Sequence, residues 1–385
     1  MKYSLSDICS YRKEKVSVDL LDRSNYISTE NMLANKGGIV KVSSLPSAVS
    51  TQRFRKGDVL VSNIRPYFKK IWQATFDGGC SNDVLVFTAN KDIDENFLYY
   101  VLSDDDFFEY AMATSKGTKM PRGDKISIMQ YQIPKFDINT QKKIANILHS
   151  IDKKIKLDNM INNNLEQQAQ ALFTAWFENF EPFGGVAPDS WKQVTLGDIA
   201  EIKTNSFNPQ KNPDAQIEHY SIPAFDEKKY PVFESASDIK SNKYILTNNS
   251  VMASKLNPDT KRVWRPLCIT DLAVSSTEFI IFEPFNPVYK DYVYSIIDSK
   301  GFTDWMCSHT TGSTNSRQRT APGTTLNYLI WLPDQDTMDS FLSTVTPMYD
   351  LIAHNLSQNQ ELISLRDSLL PKLMSGELDV SNIDL

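Results

Sequence analysis

The sequence predicts an α+β protein: two similar α/β modules separated by two long antiparallel coiled-coil helices, the whole forming a pseudo-twofold internal repeat. Short motifs recur in one order at an offset of about 190 residues, close to half of the 385-residue chain. Each copy closes on a heptad pattern, and both heptad patterns turn polar midway.

The repeat opens at Ser4-Leu5-Ser6-Asp7-Ile8, echoed by Thr195-Leu196-Gly197-Asp198-Ile199. The run from Gly57 to Pro66 returns from Asn249 to Pro258, and Ser81 to Phe87 returns from Ser276 to Phe282. Gly117 through Arg122 matches Gly312 through Arg317, after which each copy reaches an apolar–proline step, Ile133-Pro134 and Leu332-Pro333. Any one of these pairs could arise by chance, but the ordered set indicates a duplication.

Within each copy, Val59-Leu60-Val61 and Val84-Leu85-Val86-Phe87 are short β-rich runs bounded by Gly, Asn, Asp and Pro, which predicts strands. Phe97 to Leu102 and Tyr292 to Ile297 are predicted short helices. Each copy therefore opens with a mixed module of about 140 residues, an ordinary domain size. The expected boundaries are a first module at 1–139, a helix at 140–180, a second module at 181–335, and a helix with tail at 336–385.

The first long helix is predicted from Ile144, Leu148, Ile151, Ile155, Asp158, Asn162, Leu165, Ala169, Leu172 and Trp176, which alternate steps of four and three. Phe341, Val345, Met348, Ile352, Asn355, Asn359, Leu362, Arg366, Leu369 and Leu373 do the same. Antiparallel pairing sets Asp158 and Asn162 opposite Asn355 and Asn359; polar seam residues lower stability and specify register. Pro347 predicts a bend or a late start, and Gly376 suits a left-handed C-cap. A helix of about 37 residues is about 55 Å long. The aromatic cluster Phe173, Trp176, Phe177, Phe180 and Phe183 is expected to pack where this helix meets the second module rather than to dock a partner.

The net charge is −6, against a simple basic nucleic-acid binder, yet Arg53, Arg55, Lys56, Arg65, Lys69 and Lys70 face only Asp58 between residues 51 and 70. Cys9, Cys80, Cys268 and Cys307 lie far apart with no C-x-x-C pair, which predicts reduced thiols rather than disulfides or zinc ligands. Neither a signal peptide nor a membrane-length apolar run is present, so a cytoplasmic location is expected. His149, His219, His309 and His354 are isolated, and no nucleotide-binding P-loop motif occurs. No catalytic residue, metal or cofactor is expected.

The whole chain resembles the specificity subunits of type I restriction–modification systems. The resemblance rests on Tyr131-Gln132-Ile133-Pro134, Gln141-x-x-Ile144, Ile151-Asp152-x-x-Ile155 and Ala171-Leu172-Phe173-x-x-Trp176-Phe177-x-x-Phe180-Glu181-Pro182. Trp191-x-x-Val194-Thr195-Leu196-Gly197-Asp198-Ile199 and the tail from Leu369 to Leu378 complete it. The second copy departs in lacking a counterpart of Gln141 and in its looser Ile330-Trp331-Leu332-Pro333. The resemblance implies a non-catalytic subunit whose two target-recognition domains each read one half of a split site on double-stranded DNA. It also implies that the helices space the domains and hold two methyltransferase subunits, with a restriction subunit able to join. Half-sites about one helical turn, roughly 34 Å, apart fit within the helix length.

In the first module the candidate DNA-contacting residues are Lys116, Thr118, Lys119 and Arg122 of a basic loop, with Arg65, Lys69 and Lys70. In the second they are Ser313, Thr314, Asn315, Arg317 and Arg319, with Lys255, Lys261, Arg262 and Arg265 after the matching strand. Glycine and small polar residues beside cations permit close backbone approach to a phosphate.

Two other readings are open to the residues. Pro213-Asp214 with Asp226-Glu227-Lys228, or Pro188-Asp189 with Glu201-Ile202-Lys203, fits the loose spacing of a stand-alone Mg²⁺-dependent nuclease. A two-lobed protein–protein scaffold with no DNA role fits the duplication alone.

Overall fold

The computed structural model describes residues 2–311, 318–381 and 383. The chain divides into two compact units, Met1–Lys156 with Asn359–Leu385, and Leu157–Gln358.

The first unit opens with strand Lys2–Ser4, paired antiparallel to Gln132–Pro134. Its central sheet orders Cys9–Tyr11, Val84–Ala89, Val59–Ser62 and Ile71–Gln73, all antiparallel. A second sheet orders Lys15–Ser17, Ser50–Phe54, Gly78–Cys80 and Tyr26–Ile27, the last pair parallel. Glycine is required at Gly78, where a Cβ would lie 2.1 Å from the Asn25 carbonyl oxygen. Helices Glu95–Ser103 and Asp105–Ala113 cover the central sheet, sharing a core with Leu5, Val59, Phe87, Ile144, Leu148, Leu370 and Leu373.

The second unit repeats this plan. Lys192–Thr195 pairs with Leu329–Leu332, and the central sheet orders Ala200–Lys203, Phe279–Pro284, Val251–Ser254 and Val263–Trp264. Register is reproduced as well as order: Val61 faces Leu85 in one unit, and the matching Ala253 faces Ile280 in the other. The other sheet runs Ser206–Phe207, Lys243–Ile245, Ala273–Ser276, Gln216–Tyr220 and Val232–Ser235, again with one parallel pair, and gains one edge strand over the first unit. Helices Lys290–Ile297 and Lys300–Ser308 pack on the central sheet, where Tyr292, Val293, Ile296 and Phe302 share a core with Val251, Ala253, Ile280 and Phe282.

The echoed motif at the start of each copy is a local hydrogen-bonded turn. Asp7 accepts from the Ser4 amide (2.8 Å) and hydroxyl (2.8 Å), and Asp198 accepts from Thr195 in the same way (2.7 and 2.8 Å). Leu5 N donates to Tyr131 O and Leu196 N to Tyr328 O, each at 2.8 Å. Those bonds hold Asp7 and Asp198 below the usual carboxylate range.

Two long helices, Ile138–Phe173 and Gln335–Ser375, contribute to both units. In the first unit Ile144 and Leu148 share a core with Leu370 and Leu373, and Arg366 reaches Asp152 at 2.9 Å. In the second, Ala169 and Phe173 share a core with Phe341, Val345 and Ile352. Within each unit the two segments therefore run antiparallel. Every residue of both heptad lists is buried or half-buried. The stripe is wider than the lists, because Ala145, Leu342, Tyr349, Leu370 and Met374 are buried too. Asp158, Asn162, Asn355 and Asn359 are all buried, and Asn355 donates to Asn162 at 2.8 Å.

A late start at Pro347 is excluded, since the second helix begins at Gln335 and runs through both Pro347 and Pro371. Both prolines lie on the exposed face, where a carbonyl deprived of its helical donor reaches water. Gly376 follows the helix with φ +78°, the predicted left-handed cap. The first helix passes into a π turn at Thr174–Glu178, whose aromatics are core: Phe177 is buried against Trp191, Tyr292 and Phe341.

Candidate nucleic-acid interface

In each unit the central-sheet strand ends in a joint that brings two distant loops together. In the first, Ser62 Oγ donates to Ile64 O (3.1 Å), Arg65 adopts a left-handed conformation (φ 51°), and its amide donates to Pro121 O (2.8 Å). In the second, Ser254 Oγ donates to Leu256 O (3.0 Å), Asn257 is left-handed (φ 46°), and its amide donates to Gln318 O (2.9 Å). An arginine then crosses to an acid on the neighbouring strand connection. Arg122 reaches Asp83 at 3.3 Å, and Arg319 grips Glu278 through Nε and one Nη at 3.1 Å each.

This joint corrects the motif alignment. The counterpart of Arg122 is Arg319 and not Arg317, so the second loop is two residues longer than the first. Backbone pairing decides the register: Arg122 bridges Ile64 as Arg319 bridges Leu256.

The first loop is closed at its base by reciprocal bonds, Lys116 N to Arg122 O (2.9 Å) and Arg122 N to Lys116 O (3.0 Å), with Gly117 at φ +93°. Lys116 through Met120 are exposed. The Lys116 ammonium pairs with Asp124 at 2.5 Å and holds that carboxyl well below its usual range. Lys119 makes no ion pair among the described residues, and Thr118 is exposed beside it. Lys69 and Lys36 share Asp105 at 2.8 and 2.9 Å; against the burial that would raise it, the two ammonium groups keep that carboxyl low. Lys70 donates to Thr29 O (2.7 Å), and burial lowers its proton affinity. The structure thus brings Arg65 and the loop cations together, with Lys69 and Lys70 on the same turn.

The second module is sorted differently. Lys255 sits in the joint, its amide on Glu278 O and its carbonyl accepting from Thr320 N. Lys261 pairs with Asp298 (2.6 Å) and Arg262 with both oxygens of Asp226 (2.6 and 2.9 Å). Arg265 is drawn to Asp291 (2.7 Å) and Asp350 (2.8 Å) instead of joining the loop. Strand Thr310–Thr311 pairs with Arg319–Thr320 at the loop base, while Ser313, Thr314, Asn315 and Arg317 lie outside the described residues.

The Arg262 pairing occupies Asp226, the carboxylate of the nuclease-like spacing, and Lys203 pairs with Glu201 (2.6 Å) in the other. Among the described residues no group of three or more His, Cys, Asp or Glu could hold a metal ion. All four cysteines are free, and burial pushes Cys9 and Cys268 up to about 12, out of the range of a reactive thiolate. No helix among the described residues is long and apolar enough to cross a membrane.

Counting cations along the sequence missed Lys36, which reaches the Lys69 site from a distant loop. It also missed Tyr67 and Phe68, exposed aromatics lying between Arg65 and Lys69. The run Arg65-Pro66-Tyr67-Phe68-Lys69-Lys70 was the available signal.

A sequence family described as the type I restriction modification DNA specificity domain matches residues 1–167. The type I restriction enzyme MjaIX specificity subunit of Methanocaldococcus jannaschii is 27% identical over 328 residues, covering 74% of this chain and 70% of its own. The type I restriction enzyme HindI specificity subunit of Haemophilus influenzae is 24% identical, covering 98% of this chain and 99% of its own. The crystal structure of a type I restriction–modification S subunit from M. genitalium shares the fold, with a TM-score of 0.59 at 16% identity over 99% of this chain and 96% of that one.

Proposed function

We propose, on the premise that this chain belongs to the specificity subunits of type I restriction–modification systems, that it reads a bipartite target on double-stranded DNA and performs no chemistry itself. Residues 1–139 and 181–335 each read one half-site. The helices of 140–180 and 336–385 set the unread spacer and hold two methyltransferase subunits, with a restriction subunit able to join in the cytoplasm. The observation that carries this reading is the duplicated joint: one backbone arrangement, with the Arg122–Asp83 and Arg319–Glu278 pairs, presents different side chains in the two units. A repeated frame with divergent loops is what reading two different half-sites requires.

Lys116, Thr118, Lys119, Arg122 and Arg65, with Lys69 and Lys70, form the first contact surface. Lys255, Arg319 and the loop containing Ser313, Thr314, Asn315 and Arg317 form the second. Many of these cations already have acidic partners, so much of the affinity comes from the assembled complex, because phosphate neutralisation dominates binding strength.

The test is to assemble the chain with its methyltransferase subunits and map methylated adenines across a genome. The expected result is a split motif with a constant gap. A continuous motif, or none, overturns the reading. Exchanging residues 1–139 for a relative's first module should change one half of the motif only.

A further inference from the structure

The turn after strand Val59–Ser62 has a counterpart in both units, with different side chains at its tip. Arg65 and Lys69 are left-handed at either end of Pro66–Phe68 (φ 51° and 49°), a conformation that residues other than glycine rarely adopt. Phe68 N to Arg65 O (3.0 Å) and Lys69 N to Pro66 O (2.8 Å) close the turn, and Asn35 N to Phe68 O and Lys36 N to Lys69 O (2.9 Å each) pin it from outside. On this pinned frame Tyr67 and Phe68 stand 49% and 37% exposed, with ring centroids 4.7 Å apart. In the second unit Thr260 N to Asn257 O (2.9 Å) closes the corresponding turn, and its tip carries Asp259 and Thr260.

An exposed aromatic pair beside cations suits a ligand that offers apolar base edges, or a base step that can be opened, beside anionic phosphates, which is duplex nucleic acid. Lys70 Nζ lies 5.8 Å from the Phe68 ring centre, and Arg65 ties the turn to the basic loop through Pro121. The acidic Asp259 at the matching tip shows that the position is not a shared phosphate anchor. A frame shared by the two units, with a tip that changes character, is suited to a place where the two modules differ in what they recognise.

We propose that Tyr67 and Phe68 are specificity-determining contacts of the first module, seated against bases of its half-site while neighbouring cations meet phosphates. The inference rests on the DNA-reading function above.

The experiment uses the full chain assembled with its methyltransferase subunits. Binding is titrated on a duplex carrying the mapped split site and on one with the first half-site scrambled. Tyr67→Ala/Phe68→Ala is expected to lose on the order of tenfold or more in affinity for the intact site. The salt dependence should be unchanged, because no phosphate contact is removed, and binding to the scrambled duplex should barely move. Tyr67→Ala alone, with an unaltered melting curve, decides the matter if the double variant does not fold. Unchanged affinity for the intact site, or equal loss on both duplexes, overturns the inference. Loss of methyltransferase assembly with DNA binding intact also overturns it, making the pair a protein contact. Wild-type complex that binds both duplexes equally overturns the DNA-reading function itself, a result distinct from the others.

Discussion

Asn355 donates a 2.8 Å hydrogen bond to the side-chain oxygen of Asn162, both residues being buried in the seam between the two long helices. In an apolar seam a polar pair is favourable only when its members meet, so a shifted alignment buries each amide against hydrocarbon. Asn355→Leu should strand Asn162 and cost about 1–3 kcal/mol. The double replacement Asn162→Leu/Asn355→Leu should recover most of that loss while loosening register. Urea denaturation of the three variants checks this; losses that simply add would show that the two asparagines are uncoupled.

Arg265 is the cation whose sequence context suggested DNA and whose surroundings indicate a structural role. It faces Asp291, whose side chain is 6% exposed, and Asp350. Arg265→Met should destabilise the protein by about 3–5 kcal/mol, chiefly because Asp291 is left buried without its partner. DNA affinity of the folded molecules should stay unchanged. A stable variant with weakened DNA binding would reverse the assignment.

Lys119 offers the opposite case, exposed and without an ion pair among the described residues. Lys119→Ala should leave the melting temperature alone and weaken binding to all duplexes alike. The slope of log affinity against log salt should fall by about 1. A sequence-selective loss would mean that Lys119 reads a base edge.

Lys290 gives a pH-dependent signature. Burial, aided by the nearby Arg265 charge, pushes its ammonium from 10.5 down to about 8, while its Nζ donates to Asn248 O at 2.5 Å. Between about pH 8 and 10.5 the unfolded chain keeps this proton and the folded chain does not. Lys290 therefore adds stability as pH rises through that window, and it disfavours the folded state below it. Lys290→Met should abolish that contribution, so the stability difference between wild type and variant should change across pH 8–10.5 and be flat below. A flat difference throughout would show that the lysine titrates normally.

The repeat motifs, the heptad stripes and the Gly376 cap could be read without coordinates because each is encoded within a few neighbouring residues. Ser4 and Asp7 close their turn three residues apart, as do Thr195 and Asp198. Ile144 and Leu148 share a helix face by spacing alone. The candidate interface was legible only in outline. Its loops were found from glycine and cation patterns, but aligning glycine to glycine put Arg317 where the ladder puts Arg319.

By itself the sequence determined that the chain is duplicated, that each copy ends in a long helix with a polar centre, and where the basic loops fall. Periodicity and turn chemistry are local, so they survive without knowledge of the fold. Only the tertiary structure decided which acid stands beside each cation. Asp291 lies 26 residues from Arg265 and Asp350 lies 85 residues away, and a charge's availability depends on the acid that folding places beside it.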